Sequence, residues 1–319
     1  MFYVLCFALC LAVLFIVMTS TGLVCMGCLR LLRPWLRQAA PRLSANLLFT
    51  IRALPLLLAF LVTFGFVLPA FLKFEPRSTR ELMGWPLMGL AVLGASVLLM
   101  IGTRGLRLIS ATRQVQRQWR LAATRLHVTG IDVPLYQVDS PGTLLAVSGI
   151  FRPKIFIGRQ VAATLTPAEL SAALIHEIAH VASFDNLKQF LLRITRLSRQ
   201  TDIDWTNASE IAADEAALAQ GASVLDLSSA LIKVGRLGQG TFAHDAFLGS
   251  HLLPASPGSS MEVRVTHLQK LLEGNCLPHR ATGHKYYGIF SFLLMFLAYA
   301  TCVNAVLPWM HEALEFLVR

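Results

Sequence analysis

The sequence predicts an α-helical membrane protein with four transmembrane helices and a cytoplasmic α+β domain inserted between helices three and four. Three observations carry this reading. The chain of 319 residues is 55% hydrophobic and 14% charged, with a mean hydropathy of +0.59, whereas soluble domains carry roughly 25% charged residues. Four apolar stretches, about 2–26, 53–72, 86–103 and 288–310, approach the roughly 20 residues that cross a hydrocarbon core as a helix. The long interval between the third and fourth stretches has the mixed composition and turn signals of a folded domain.

The first stretch, FYVLCFALCLAVLFIVMTSTGLVCM, contains no charge, lacks a basic leader and shows no small-x-small cleavage site. It therefore reads as a retained span and not as a signal peptide. Orientation follows from the flanking arginines. Residues 27–47 carry Arg30, Arg33, Arg37 and Arg42 with no acid, and residues 104–125 carry six arginines with no acid. Both flanks belong on the cytoplasmic side, which places residues 73–85 and both termini outside. Trp85 and Trp309 then fall at outer span ends, and Tyr286 and Tyr287 at the inner end of the fourth. The implied location is a bacterial inner membrane, crossed several times.

The net charge of +10 does not indicate nucleic-acid binding. Residues 104–285 hold 19 Lys/Arg and 14 Asp/Glu, and six of those arginines lie in 104–125. The basic excess thus sits at the membrane border, where anionic headgroups of the lipid bilayer are its partner. Six cysteines, most of them in or beside spans, do not form a disulfide framework. Cys25-Met-Gly-Cys28 lacks the second pair or redox context that would make it a site.

Within 104–285, residues 104–128 read as an arginine-rich helix continuing the third span. Residues 131–158 read as a small sheet, from PLYQV, LLAVSGI and KIFIG punctuated by DSPG and FRP. Thr166-Pro167-Ala168-Glu169 supplies an N-cap, a proline at the first helical position and a capping-box glutamate. Amphipathic helices follow over 187–197, 207–221, 224–237 and 261–273, with a loop at 251–260.

The helix opened by Thr166 carries His176-Glu177-x-x-His180. Residues i and i+4 share a helix face, so His176 and His180 can present two imidazoles to one Zn2+ ion. Glu177 is one step round, placed to serve as general base. Glu210, about thirty residues on, offers a third ligand, with Asp214 one turn further along the same face. Asp214 and Asp185 are candidates to hydrogen-bond the ligand imidazoles, although a lone aspartate at either place also reads as a cap or a surface residue. Glu215 is expected to face solvent. The chemistry so far is that of a zinc metalloendopeptidase.

Together, GIFRPKIFIG (149–158), LTPAELSAALIHEIAHVASFD (165–185), SEIAADEAAL (209–218) and the four-span order resemble the BlaR/MecR antirepressor family of integral-membrane zinc peptidases, of the gluzincin type. The resemblance implies His176, His180 and Glu210 as zinc ligands and Glu177 as the catalytic residue. It implies that Lys154, Ile155, Phe156, Ile157 and Gly158 form the edge strand that pairs with substrate backbone. It also suggests Arg264 as a stabiliser of the transition state, because the family counterpart is an arginine. The implied function is signal transduction, by cleavage of the protein itself or of a cytoplasmic repressor-like protein. Only His311–Arg319 follow the fourth stretch, so no C-terminal penicillin-binding sensor domain is expected. A membrane sensor partner or a homodimer is then the route for a signal. Two other readings stay open: a quality-control or processing protease of the HtpX/CAAX type, and an inactive zinc-binding scaffold.

Overall fold

The computed structural model describes residues 2–75, 84–128, 132–139, 145–195, 198–238, 249–251, 259–273, 307–309 and 312. Most of these are helical, and three helical segments are long and apolar enough to cross a membrane: Phe2–Leu36, Pro41–Phe74 and Trp85–Leu121. The first is α1 (Phe2–Leu36) and the third is α4 (Trp85–Leu121). The second comprises α2 (Pro41–Val62), a π-helical turn at Thr63–Val67, and α3 (Leu68–Phe74). In that turn the Leu68 N–H donates to Thr63 O, five residues back. Helices of 35 and 37 residues reach roughly 50 Å at about 1.5 Å per residue, well beyond a core of roughly 30 Å. The expected cytoplasmic loop 27–47 is accordingly mostly helix, broken only between Leu36 and Pro41. The expected fourth span, 288–310, lies almost wholly outside the described residues, as do most of residues 73–85 and the loop 251–260.

The chain divides into two compact units, one of residues 1–33, 50–102 and 282–319, the other of residues 34–49 and 103–281. The second unit therefore takes in residues 34–49 as well as the expected insertion. In the first unit Leu5, Leu9, Ala12 and Val13 of α1 pack with Val67, Phe71 and Leu87. Gly94 lies so near α1 that a Cβ would sit 2.2 Å from the Leu11 carbonyl oxygen.

The second unit is built on a five-stranded mixed sheet: β1 (Ala123–Leu126), β2 (Leu135–Val138), β3 (Leu145–Ser148), β4 (Lys154–Gly158) and β5 (Gly249–His251), in the order β1-β2-β4-β3-β5. The arginine-rich helix ends at Leu121, and the residues after it, expected as helix to 128, form β1. The β3–β4 turn needs Gly149, whose φ is +111° and where a Cβ would stand 2.7 Å from Arg152 O.

Lys154–Gly158 is not an edge strand. β4 pairs in parallel with β2 and antiparallel with β3, so both of its sides are taken within the sheet. Its side chains explain why. Ile155 and Ile157 enter the core shared with the helices, while Phe156 meets Trp119 at 5.1 Å and Tyr136 at 5.5 Å between ring centroids. A strand apolar on both faces belongs in the middle of a sheet. Among the described residues the edges are β1 and β5.

The helices follow: α5 (Arg159–Thr164), α6 (Pro167–Ala182), α7 (Asp185–Thr195), α8 (Arg199–Ala219), α9 (Val224–Gly238) and α10 (Ser259–Leu272). Leu145, Val147, Ile155 and Ile157 of the sheet form one core with Ala172, Ala173 and Leu174 of α6, Leu227 and Leu231 of α9, and Leu268 of α10. Each fully buried aliphatic side chain contributes about 1.5–3 kcal/mol. This core fixes the axis of α6, and therefore the direction in which its histidines point.

Candidate metal centre

α6 begins as its sequence requires. Thr166 accepts from the Glu169 N–H at 3.3 Å, and Glu169 accepts from the Thr166 N–H at 2.8 Å. Glu169 also accepts from Lys233 Nζ at 2.7 Å and Ser229 Oγ at 2.5 Å, which ties the helix start to α9. Lys233 first, then Ser229 and the Thr166 backbone, hold the Glu169 carboxyl down at about 2. With its start and its apolar face both fixed, α6 turns His176, Glu177 and His180 inward, where their exposures are 0%, 0% and 2%.

α8 brings Glu210 to the same point. His176, His180 and Glu210 each offer one ligand atom, all within 4.8 Å of one another, and this buried group can hold a metal ion. The two Nε2 atoms are 3.2 Å apart. Glu210 Oε2 lies 3.5 Å from His176 Nε2, and Glu210 Oε1 lies 3.6 Å from His180 Nε2. Ligand atoms about 2.0–2.2 Å from a tetrahedral cation are about 3.3–3.6 Å apart. The spacing of the two imidazole nitrogens and the distance from each to the Glu210 oxygen that faces it are close to this range.

The opposite ring nitrogens decide the tautomers. His176 Nδ1 is 2.8 Å from Asp214 Oδ1, and His180 Nδ1 is 2.7 Å from Asp185 Oδ2. Asp185 takes the Nδ1–H of His180, and Asp214 stands at ion-pair distance from His176 Nδ1. A proton on each Nδ1 leaves both Nε2 lone pairs facing each other and Glu210. Three electron-rich atoms in a water-poor site call for a cation between them. The imidazoles show the same demand. Burial opposes their charging, yet Asp214 raises the pKa of His176, and Glu210 with Asp185 raises that of His180 well above its ordinary value.

Arg264 of α10 is fully buried against this group. Its Nε donates to Asp214 Oδ2 at 2.8 Å and Nη2 to Asp214 Oδ1 at 2.6 Å, while Nη1 is 3.0 Å from Glu210 Oε2. The suggested stabiliser of a transition state is thus a clamp on two carboxylates of the metal group, which it holds in place and partly neutralises. Against burial, His180 and Arg264 keep Glu210 ionised, and Arg264 and His176 do the same for Asp214. Four carboxylates, Glu177, Asp185, Glu210 and Asp214, face two cations, Arg264 and Lys188.

Glu177, beside both imidazoles, is not one of the three residues of the metal group. Burial pushes its carboxyl up to about 7, against the pull of His176 and His180. A carboxyl so poised can accept and return a proton near neutral pH. Glu215, expected in solvent, is buried with its Oε1 3.1 Å from His267 Nε2. Sequence reasoning missed this pair because the partners are 52 residues apart.

No model of a known protein family matches the chain, and no curated protein matches it.

Proposed function

We propose that the protein is a membrane-embedded zinc endopeptidase. The observation that carries the reading is the buried group of His176, His180 and Glu210, whose ligand atoms lie within 4.8 Å of one another, backed by Asp214 and Asp185, with Glu177 beside it. Two imidazole nitrogens and one carboxylate are a ligand set that suits zinc and leaves a fourth position for water or substrate. Zinc, when bound, supplies a Lewis acid that acidifies water and polarises a peptide carbonyl. Glu177 takes the proton of the attacking water on its carboxylate and delivers it to the leaving amine nitrogen. Asp214 and Asp185 hold their imidazoles against rotation, and Arg264 holds Glu210.

The resemblance to BlaR/MecR peptidases supports a signal-transducing role, with the protein itself or a cytoplasmic repressor-like protein as substrate. Two features support a latent resting state. Glu177 has no solvent exposure. The outer side of β3, a strand that packs on α6, is occupied by the chain's own β5. A substrate strand joining the sheet there would take the place of β5.

The test is zinc analysis and proteolysis of the whole chain in nanodiscs. Wild type should hold about one zinc; His176→Ala, His180→Ala and Glu210→Ala should each lose it. Glu177→Gln should keep zinc and lose cleavage, since an amide cannot take the proton. Full zinc in Glu210→Ala, or wild-type cleavage by Glu177→Gln, would overturn the assignments. Rapid multi-site cleavage of casein without an effector would favour quality control over transduction, and zinc binding with no cleavage of any substrate would favour the scaffold.

A further inference from the structure

The helix after the metal helix touches more of its surroundings than a spacer needs to. α7 starts at Asp185, just past Phe184, a non-glycine residue at φ +55°. Asn186 Nδ2 donates to Gly149 O at 3.0 Å, which anchors the start of α7 to the end of β3. Further along, Phe190 and Ile194 close over Gly105 of α4, where a Cβ would stand 3.6 and 3.7 Å from them. Between these points lies Lys188. Its Nζ donates to Asn46 Oδ1 at 2.9 Å, lies 5.8 Å from the Phe49 ring centroid, and is 3.7 Å from Asp185 Oδ1. Asn46 and Phe49 belong to the start of α2, in the same compact unit as α7. The other oxygen of Asp185 is the one held by His180 Nδ1 at 2.7 Å.

We propose that Lys188 is a positioning residue that links the start of α2 to the metal ligand His180 through Asp185, so that displacement of α2 changes how firmly His180 holds the metal. The proposal rests on the metal reading given above. A carboxylate behind a ligand imidazole sets the ring's orientation and basicity, and losing such a partner costs about 10–100-fold in metal affinity. Asp185 divides its two oxygens between His180 and Lys188. The ammonium therefore sets the direction of the carboxylate, and its own direction is set by an amide and a ring on α2. Mixed packing of this kind, charge on carboxylate and charge over an aromatic face, defines a direction better than either contact alone. The path enters the site through the connection between the first two long helices.

The experiment uses the full chain in nanodiscs and reads zinc affinity by chelator competition and the rate of zinc release. Lys188→Met should weaken zinc about 10-fold and speed its release. Lys188→Arg should restore most of the affinity. Asn46→Leu, which leaves Lys188, Asp185 and the metal ligands unchanged, should shift both readouts in the same direction by less. The double variant Asn46→Leu/Lys188→Met should be no worse than Lys188→Met, because both act on one path. Unchanged zinc affinity and release in Lys188→Met and Asn46→Leu would overturn the proposal, as would strictly additive effects. A wild-type chain that binds no zinc would instead sink the metal reading itself, so the two failures are distinguishable.

Discussion

At the scale of single residues, the centre is a problem of buried charge solved by paired partners. Arg264 is the strongest case, since it is fully buried and bonded to Asp214 and Glu210 together. Arg264→Met would leave both carboxylates without their cation, and removing one member of a buried pair costs about 3–5 kcal/mol. Denaturation of the metal-free chain should show that loss, and an unchanged midpoint would mean the guanidinium is not needed. Glu169 offers a prediction in pH. Its carboxyl is held at about 2, below the ordinary 4.5, chiefly by Lys233 and then Ser229. A depressed carboxyl stabilises the fold above the unfolded value, and that stabilisation is lost as pH falls through the folded value. Glu169→Gln should therefore be less stable than wild type at pH 7, and the two should converge between pH 4.5 and 2. Melting curves over that range check it; a gap that widens in acid would refute the role given to Lys233.

At the scale of elements, contact between helices is decided by what a glycine leaves open. Gly94 of α4 lies against Leu11 of α1, with Ala8, Leu11 and Ala91 forming a buried cluster around the crossing. Small residues let helices approach closely in lipid, where helix association has little hydrophobic drive. Gly94→Leu should push the helices apart, lowering thermal stability in detergent and raising the labelling of buried Cys6 and half-buried Cys10 of α1. Unchanged melting and labelling would show that the crossing tolerates a side chain. The elements also show what a sequence does and does not disclose. The capping box of α6 was legible because its two bonds join residues three apart. The metal triangle was legible because i, i+4 spacing on a helix fixes two of its corners. The position of β4 was not, because strand neighbours come from distant segments, and the continuous apolar run KIFIG suits an interior strand better than an edge. The partners of Arg264 and Lys188, 50 and 142 residues away, have no local signal at all.

At the scale of the whole molecule, membrane-length helices were readable because bilayer thickness sets a length that composition can meet. The extent of those helices beyond the apolar stretches was not, since arginine-rich turns continue a helix as readily as they end one. The proposed orientation has a direct check. In a cysteine-free background, a cysteine at the exposed Phe151 should resist an impermeant thiol reagent in intact cells and react after permeabilisation. Labelling in intact cells would place the metal centre outside and exclude a cytoplasmic substrate. The π-helical turn at Thr63–Val67 carries a different message, about descent. Closing a hydrogen bond over five residues, where an α-helix uses four, accommodates one extra residue without breaking the helix, and buried Thr63 and Val67 keep that turn packed. The turn is how a backbone absorbs a single-codon insertion. Alignments of related chains should therefore place a one-residue gap here, with residues on both sides still in matching positions.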